Sequence, residues 1–235
     1  MNFRGNMKNL IIVPAYNEAG NIERTIKDIK EHAPSFDYII INDCSKDETL
    51  EICRRNHFNY LNLPVNLGIG GAVQTGYRYA YFHGYDTAVQ FDGDGQHDAS
   101  YLEFMLQTLK EEQCDMVIGS RFIEKEGFQS NWLRRFGIRY FTRLIKLLTG
   151  KEITDPTSGL RMSGRKVISK YAFEYPKDYP EPESVVTIIQ EGAKVKEVPV
   201  IMRERLEGKS SINIKAGAYY MIKVSFAIIL ARLKG

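Results

Sequence analysis

Cysteine is scarce in this chain: Cys44, Cys53 and Cys114 are the only three in 235 residues. An odd number with no metal-ligand spacing offers neither a disulfide framework nor a thiolate metal site, and suits a reducing compartment. Long hydrophobic runs are missing too. No stretch reaches the roughly 18 to 20 apolar residues that a membrane-spanning helix needs. The opening MNFRGNMKN leads straight into a short apolar strand, without the apolar region and cleavage site of a secretory leader. Charge of one sign is also lacking, since the net charge is only +3, so the overall balance does not call for nucleic acid as a partner. There is no low-complexity tract, internal repeat or flexible linker. These absences leave a globular protein expected in the cytosol or bound peripherally to a membrane. At 43% hydrophobic residues it can bury one sizeable core.

Short β-branched runs alternate with amphipathic stretches. Segments 9–16, 38–43, 60–63, 87–92, 116–121 and 196–202 read as strands, and 19–32, 47–56, 70–83 and 98–112 show helical spacing. That rhythm predicts βαβ units and a largely parallel, Rossmann-like α/β sheet. Near-continuous apolar strands fit a sheet covered on both faces. The second half holds a basic helical stretch (131–149), a polar TDPTSGLR loop, helices near 183–192 and 214–233, and the strand 196–202. Ligands of such sheets bind at the carboxyl ends of the strands. PAYNE, NDCSKD, DGDGQH and GSR all fall there.

The densest of these clusters is VQFDGDGQHDAS (89–100), where an apolar strand delivers Asp92 and Asp94 between glycines. An EF-hand would need glycine where His97 stands, and a helix rather than a strand before the loop. A phosphatase-type Asp-x-Asp would lie on an N-terminal strand followed by Thr. A merely solvated turn would not coincide with three other polar clusters. The remaining reading is a divalent cation, Mg²⁺ or Mn²⁺. Such ions take oxygen ligands, and Mg²⁺ in particular uses one or two carboxylates and completes its shell with phosphate oxygens and water.

Six motifs in order, VPAYNE, INDCSKDET, LGIGGAVQTG, FDGDGQH, GSR and TDPTSGLR, resemble family 2 glycosyltransferases of the GT-A fold. Within that family they are most similar to the branch that contains dolichol-phosphate-mannose synthase and the bacterial polyprenyl-phosphate glycosyltransferases. The resemblance covers about residues 8–212. It implies a catalytic domain over 1–212 and a separate apolar and basic C-terminal helix over 213–235, possible site of membrane association. It further implies an inverting, metal-dependent hexosyltransferase that uses a nucleotide-sugar donor, UDP-glucose being one example. The implied acceptor is polyprenyl (undecaprenyl) phosphate at the cytoplasmic membrane face, for cell-surface glycan synthesis. The alternative acceptor is a sugar hydroxyl of a growing cell-wall or capsular polysaccharide.

By the same resemblance Pro14, Ala15, Tyr16, Glu18, Asp43, Gly70, Gly71 and Asp92 bind the nucleotide. Asp92, Asp94 and Gln96 form the metal and diphosphate centre. Arg121 meets phosphate, and with Asp94 and Asp155 it makes up the catalytic set. Asp155 occupies the acceptor-side carboxylate position, acting as general base toward a hydroxyl or as an orienting group toward a phosphate. Arg203, Arg205, Lys209 and Ser210 hold the donor diphosphate and the acceptor phosphate. YPEPE (179–183) departs from the dolichol-phosphate-mannose pattern, and Glu183 is expected to contact the sugar or the acceptor end.

The acceptor side has support in the residues themselves. No acidic residue lies between Glu126 and Glu152, and at 100° per residue Arg135, Arg139, Arg143 and Lys146 share one helix face. Leu133, Phe136, Tyr140, Leu144 and Leu147 take the adjoining face. A basic amphipathic helix with aromatic members suits an anionic membrane surface, while a core-packed helix with a solvated basic face explains the same pattern. From Ala216 to Ala231 the only charge is Lys223, an apolar stretch that suits a membrane, a second subunit or the protein's own core. The expected partners are a nucleotide-sugar, polyprenyl phosphate, an anionic membrane surface, and either a second copy of the chain or a membrane protein.

Overall fold

A computed structural model describes residues 7–124, 132–178, 180–203 and 221–230. β1 (Asn9–Ala15) is buried along its whole length and lies inside the sheet, third from one edge. β2 (Asp37–Asn42), β3 (Tyr60–Asn62) and β4 (Thr87–Gln90) pair parallel around it. β5 (Met116–Ser120), β6 (Arg161–Gly164) and β7 (Val195–Pro199) complete a seven-stranded sheet of order β3-β2-β1-β4-β6-β5-β7.

Successive side chains of a strand point to opposite faces, and β1 shows the consequence. Ile11 and Val13 pack with α1 (Ile22–His32), α2 (Thr49–Arg55) and α4 (Leu102–Glu111) in one core. Leu10 and Ile12 join the other core with α3 (Gly68–Phe82), α5 (Trp132–Thr149), α6 (Arg165–Phe173) and α7 (Pro180–Gln190). Val224 and Ile228 of the C-terminal helical segment (221–230) enter this second core.

The sheet is mixed rather than simply parallel, because β6 runs antiparallel between β4 and β5. The expected polar loop TDPTSGLR ends at Arg161, and neither β6 nor α6 is expected from the sequence. β6 is four residues long, RMSG, and carries almost nothing that favours a strand. It is held instead by its neighbours on both edges and by Arg161, which is fully buried. The antiparallel turn brings the 154–160 loop back over the carboxyl ends of β4 and β5.

Candidate active site

The loops after β1 and β2 are laced together. Asn17, in the left-handed region at φ 57°, accepts the Lys46 backbone N–H, and its own N–H donates to the Ser45 hydroxyl. Glu18 and Ala19 donate backbone N–H groups to Thr49 and Asp47. Burial pushes the Asp47 carboxyl up, but hydrogen bonds from Thr49 and Ala19 outweigh it and hold the group below the ordinary carboxylate range. Of the residues expected to bind nucleotide here, Tyr16 is exposed and Glu18 half-buried, whereas Pro14 and Ala15 are buried in β1.

Two expectations receive a different physical explanation. Both Asp43 carboxylate oxygens accept backbone amides, from Leu67 at 2.7 Å and from Gly68 at 2.9 Å. Asp43 is only 3% exposed, so it fastens the start of α3 to β2 and offers little surface to a base or ribose. Gly70 lies where a Cβ would sit 2.2 Å from the Pro176 carbonyl oxygen, and its N–H donates to Lys177. The close backbone approach expected there is made by the chain's own 176–177 segment. At Gly71 a Cβ would press on Leu67.

The carboxylates at the end of β4 stand as the sequence suggested. Asp94 is largely buried and its Oδ1 accepts the Gln96 backbone N–H at 3.1 Å. Asp92 accepts from the Gln90 amide at 3.2 Å and lies 3.3 Å from His97 Nε2. Gly95, at φ 74°, makes the turn that an L side chain would resist. His97 is buried against Phe91, and neither of its ring nitrogens makes a hydrogen bond among the described residues. Glu181 lies in the first turn of α7. Its carboxyl is raised above the usual range by burial, with Asp92 adding to the effect against Arg161 and a Gln90 hydrogen bond. Among the described residues no three His, Cys, Asp or Glu side chains gather into a metal cage. The donors at hand are hard carboxylate oxygens, one or two in number. That set fits Mg²⁺ or Mn²⁺ completed by phosphate oxygens, and does not fit a closed structural metal site.

Arg121 and Asp155 meet as a buried bidentate pair. Arg121 Nε donates to Asp155 Oδ2 at 2.6 Å and Nη2 to Oδ1 at 2.7 Å. Thr157 bridges the same two groups. Behind the pair Glu197 of β7 accepts the Thr154 and Asp155 backbone N–H groups at 2.7 and 2.9 Å. Burial raises the Glu197 carboxyl despite those bonds. Composition alone could not reveal Glu197, because KEVPV reads only as a strand.

Arg203 leaves β7 and clamps the DGDGQH loop. Its N–H donates to the Gln96 carbonyl at 2.8 Å, and its guanidinium pairs with Asp28 at 3.1 Å and Asp98 at 2.9 Å. Burial pushes Asp98 up, but Ser100 hydrogen bonds and Arg203 outweigh it and lower it. The phosphate-binding expectation for Arg203 thus meets a guanidinium engaged by two carboxylates. Arg205, Lys209 and Ser210 lie outside the described residues.

Beside Thr154 opens a pocket of about 470 Å³ lined by Phe122, Arg135, Arg139, Thr142, Arg143 and Lys146, among others. Lys146 pairs with Glu152, while no described carboxylate pairs with the three arginines. α5 buries Ile138, Phe141 and Ile145, and leaves Phe136 and Leu147 exposed at 61% and 81%. Tyr140 donates to or accepts from Ser225 of the C-terminal segment, whose Ile222, Phe226 and Leu230 are likewise exposed. Core packing and an exposed apolar face therefore coexist on this helix. No helix among the described residues is long and apolar enough to cross a membrane.

Comparison with known proteins agrees with this architecture. An uncharacterised protein of Methanocaldococcus jannaschii is 31% identical over 95% of this chain and 91% of its own length. The undecaprenyl-phosphate mannosyltransferase of Micrococcus luteus is 28% identical over 88% of each chain. The UDP-N-acetylglucosamine–dolichyl-phosphate N-acetylglucosaminyltransferase of Methanococcus voltae is 32% identical over 68% of this chain and 72% of its own. Among solved structures, glucosyl-3-phosphoglycerate synthase of Mycobacterium tuberculosis, in complex with Mn²⁺, UDP-glucose and phosphoglyceric acid, superposes with a TM-score of 0.76. That match covers 96% of this chain and 80% of the other at 14% identity, a likeness of fold. The glycosyl transferase family 2 profile matches residues 10–172, and with the mixed sheet and its carboxylate edge this places the chain in that family, on a GT-A fold.

Proposed function

We propose that the protein transfers a hexose from a nucleotide-sugar, a UDP-sugar such as UDP-glucose in the first instance, to polyprenyl phosphate with inversion at the anomeric carbon. Asp92, Asp94 and Gln96 would hold Mg²⁺ or Mn²⁺, which when bound neutralises charge on the departing nucleoside diphosphate. Tyr16 and Glu18 border the nucleotide, and the loop fastened by Arg203 keeps Asp94 in place. An oxygen of the acceptor phosphate forms the new bond to C1 as the bond from C1 to the diphosphate breaks, the diphosphate leaving with the electron pair. No proton needs to be removed, because a phosphate oxygen is already anionic at neutral pH.

The observation that carries the acceptor choice is the pairing of Asp155 with Arg121. A carboxylate committed at both oxygens to a buried guanidinium is poorly placed to take a proton from a hydroxyl, and an acceptor that needs no base fits such a site. The acceptors in the names of the Micrococcus and Methanococcus relatives support the same reading. The arginines of α5, which pair with no described carboxylate, and the exposed apolar face of α5 and residues 221–230 fit attachment to the anionic cytoplasmic face of a membrane. The test is acceptor-dependent release of nucleoside diphosphate with a short polyprenyl phosphate, the corresponding free polyprenol, and an oligosaccharide. Release stimulated only by the phosphorylated lipid and stopped by EDTA is expected. Stimulation by the oligosaccharide instead would move the acceptor to a sugar hydroxyl.

A further inference from the structure

We propose that Asp28 of α1 is a positioning residue that sets how tightly the DGDGQH loop holds its cation; the inference rests on the metal and nucleotide reading above. Asp28 stands outside the motifs of the sequence, and its side chain is only 10% exposed. Both carboxylate oxygens are turned to the loop or to the group that fastens it. Oδ2 accepts the Ala99 backbone N–H at 3.0 Å, and Oδ1 accepts from Arg203 Nη2 at 3.1 Å. His32 Nδ1, one helical turn on, lies 3.2 Å from Oδ1.

α1 grips the other end of the loop as well. Thr25 is one turn before Asp28 and so lies on the same helix face. Its hydroxyl, 3.1 Å from the Asn21 carbonyl, is also 3.2 Å from the Gly93 carbonyl. A Cβ on Gly95 would press on the Arg24 guanidinium, so the middle of the loop lies against α1 too. Ile22, Ile26 and Ile29 seat α1 in the core. The stretch from Gly93 to Ala99 is thus tied at both ends to a helix that shifts only if the core repacks.

From Asp28 the bonds continue to Asp94. Arg203, held by Asp28 and by Asp98 at 2.9 Å, donates its backbone N–H to the Gln96 carbonyl at 2.8 Å. The Gln96 N–H is donated in turn to Asp94 Oδ1 at 3.1 Å. With both oxygens engaged, Asp28 acts through this backbone and not as a ligand. Site geometry must be held to within about 0.5 Å, and partners that orient metal ligands typically change metal affinity by about 10- to 100-fold. Asparagine at position 28 keeps the shape and one acceptor but loses the charge that draws in Arg203.

The experiment titrates Mn²⁺ into wild type, Asp28→Asn and Thr25→Val, followed by electron paramagnetic resonance, with whichever of UDP, GDP and dTDP wild type binds. Hydrogen exchange of the metal-free proteins is measured beside it. Asp28→Asn should weaken Mn²⁺ binding by about 10- to 100-fold. Thr25→Val, which removes one hydroxyl bond to the loop, should weaken it by about 3- to 10-fold. In metal-free Asp28→Asn the amides of residues 93–99 should exchange about 10-fold faster, while those of β1 and β4 stay within about 2-fold of wild type. Wild-type Mn²⁺ affinity in Asp28→Asn overturns the inference. So does exchange that quickens equally in β1, β4 and the loop, because a merely structural residue loosens the whole domain. Should Asp28→Asn fail to fold, Thr25→Val decides by the same two criteria. Wild type that binds Mn²⁺ with none of the three nucleotides overturns the proposed function itself, a different outcome from either.

Discussion

Replacing Asp155 with Ala should destabilise the protein far more than an ordinary active-site substitution. Arg121 and Asp155 side chains are 5% and 0% exposed and meet through two bonds of 2.6 and 2.7 Å. Removing the carboxylate takes both charged bonds from a buried guanidinium that also donates to Thr157. Stranding one member of a buried pair costs about 3–5 kcal/mol. For a chain of 235 residues, with about 2–4 °C lost per kcal/mol, the melting temperature should fall by roughly 6–20 °C. Asp155→Asn should lose less, since the amide keeps one acceptor. The double variant Arg121→Met/Asp155→Leu should recover most of the loss, because a well-packed apolar pair often replaces a buried ion pair without penalty. Thermal unfolding followed by circular dichroism, run as a double-mutant cycle, reads all of this. An Asp155→Ala protein melting within about 2 °C of wild type would refute the reasoning. So would an Asp155→Asn protein of wild-type stability whose transfer rate has dropped by about 10²–10⁴, the signature of a lost general base.

Gly159→Ala should push the Asp92 carboxylate out of place and lower turnover by roughly 10²-fold with little change in melting temperature, checked by steady-state kinetics beside calorimetry. Glu197 has a folded value raised by burial, so its contribution to stability is complete below its unfolded value near 4.5 and is lost as pH rises through the folded one. Urea unfolding should accordingly show Glu197→Gln closing part of the gap between wild-type stability at low and at neutral pH; an unchanged slope contradicts the assignment. Arg135→Gln/Arg139→Gln/Arg143→Gln should weaken binding to phosphatidylserine vesicles by about 3 kcal/mol, roughly a hundredfold, while nucleotide binding measured in parallel stays constant.

The elements legible in the sequence were those whose pattern is local. β1, β2, β4 and β5 are short apolar runs placed to within about two residues, and α1, α3 and α4 keep helical spacing, although α1 begins at Ile22 and α4 at Leu102 rather than at 19 and 98. The carboxylate loop was legible because Asp92 and Asp94 end an apolar strand, a conflict that only chemistry resolves. β6 was not, because its strand character comes from pairing with β4 and β5 rather than from RMSG itself. The partners within the site were equally hidden. Nothing local tells that Asp43 caps α3, or that Arg203 reaches Asp28 across 175 positions. α5 was read as either membrane-facing or core-packed. Its buried stripe of Ile138, Phe141 and Ile145 packs in the core, while Phe136 and Leu147 form a distinct exposed face.

The most direct test of the central claim is mass spectrometry of the lipid fraction after incubating the full chain with Mn²⁺, a panel of UDP-, GDP- and dTDP-sugars, and a short polyprenyl phosphate. The account predicts a hexosyl-phosphoryl-lipid from one donor, absent with EDTA and absent with Asp94→Ala. A donor consumed to free sugar and nucleoside diphosphate, with no glycosylated lipid from any member of the panel, would contradict it.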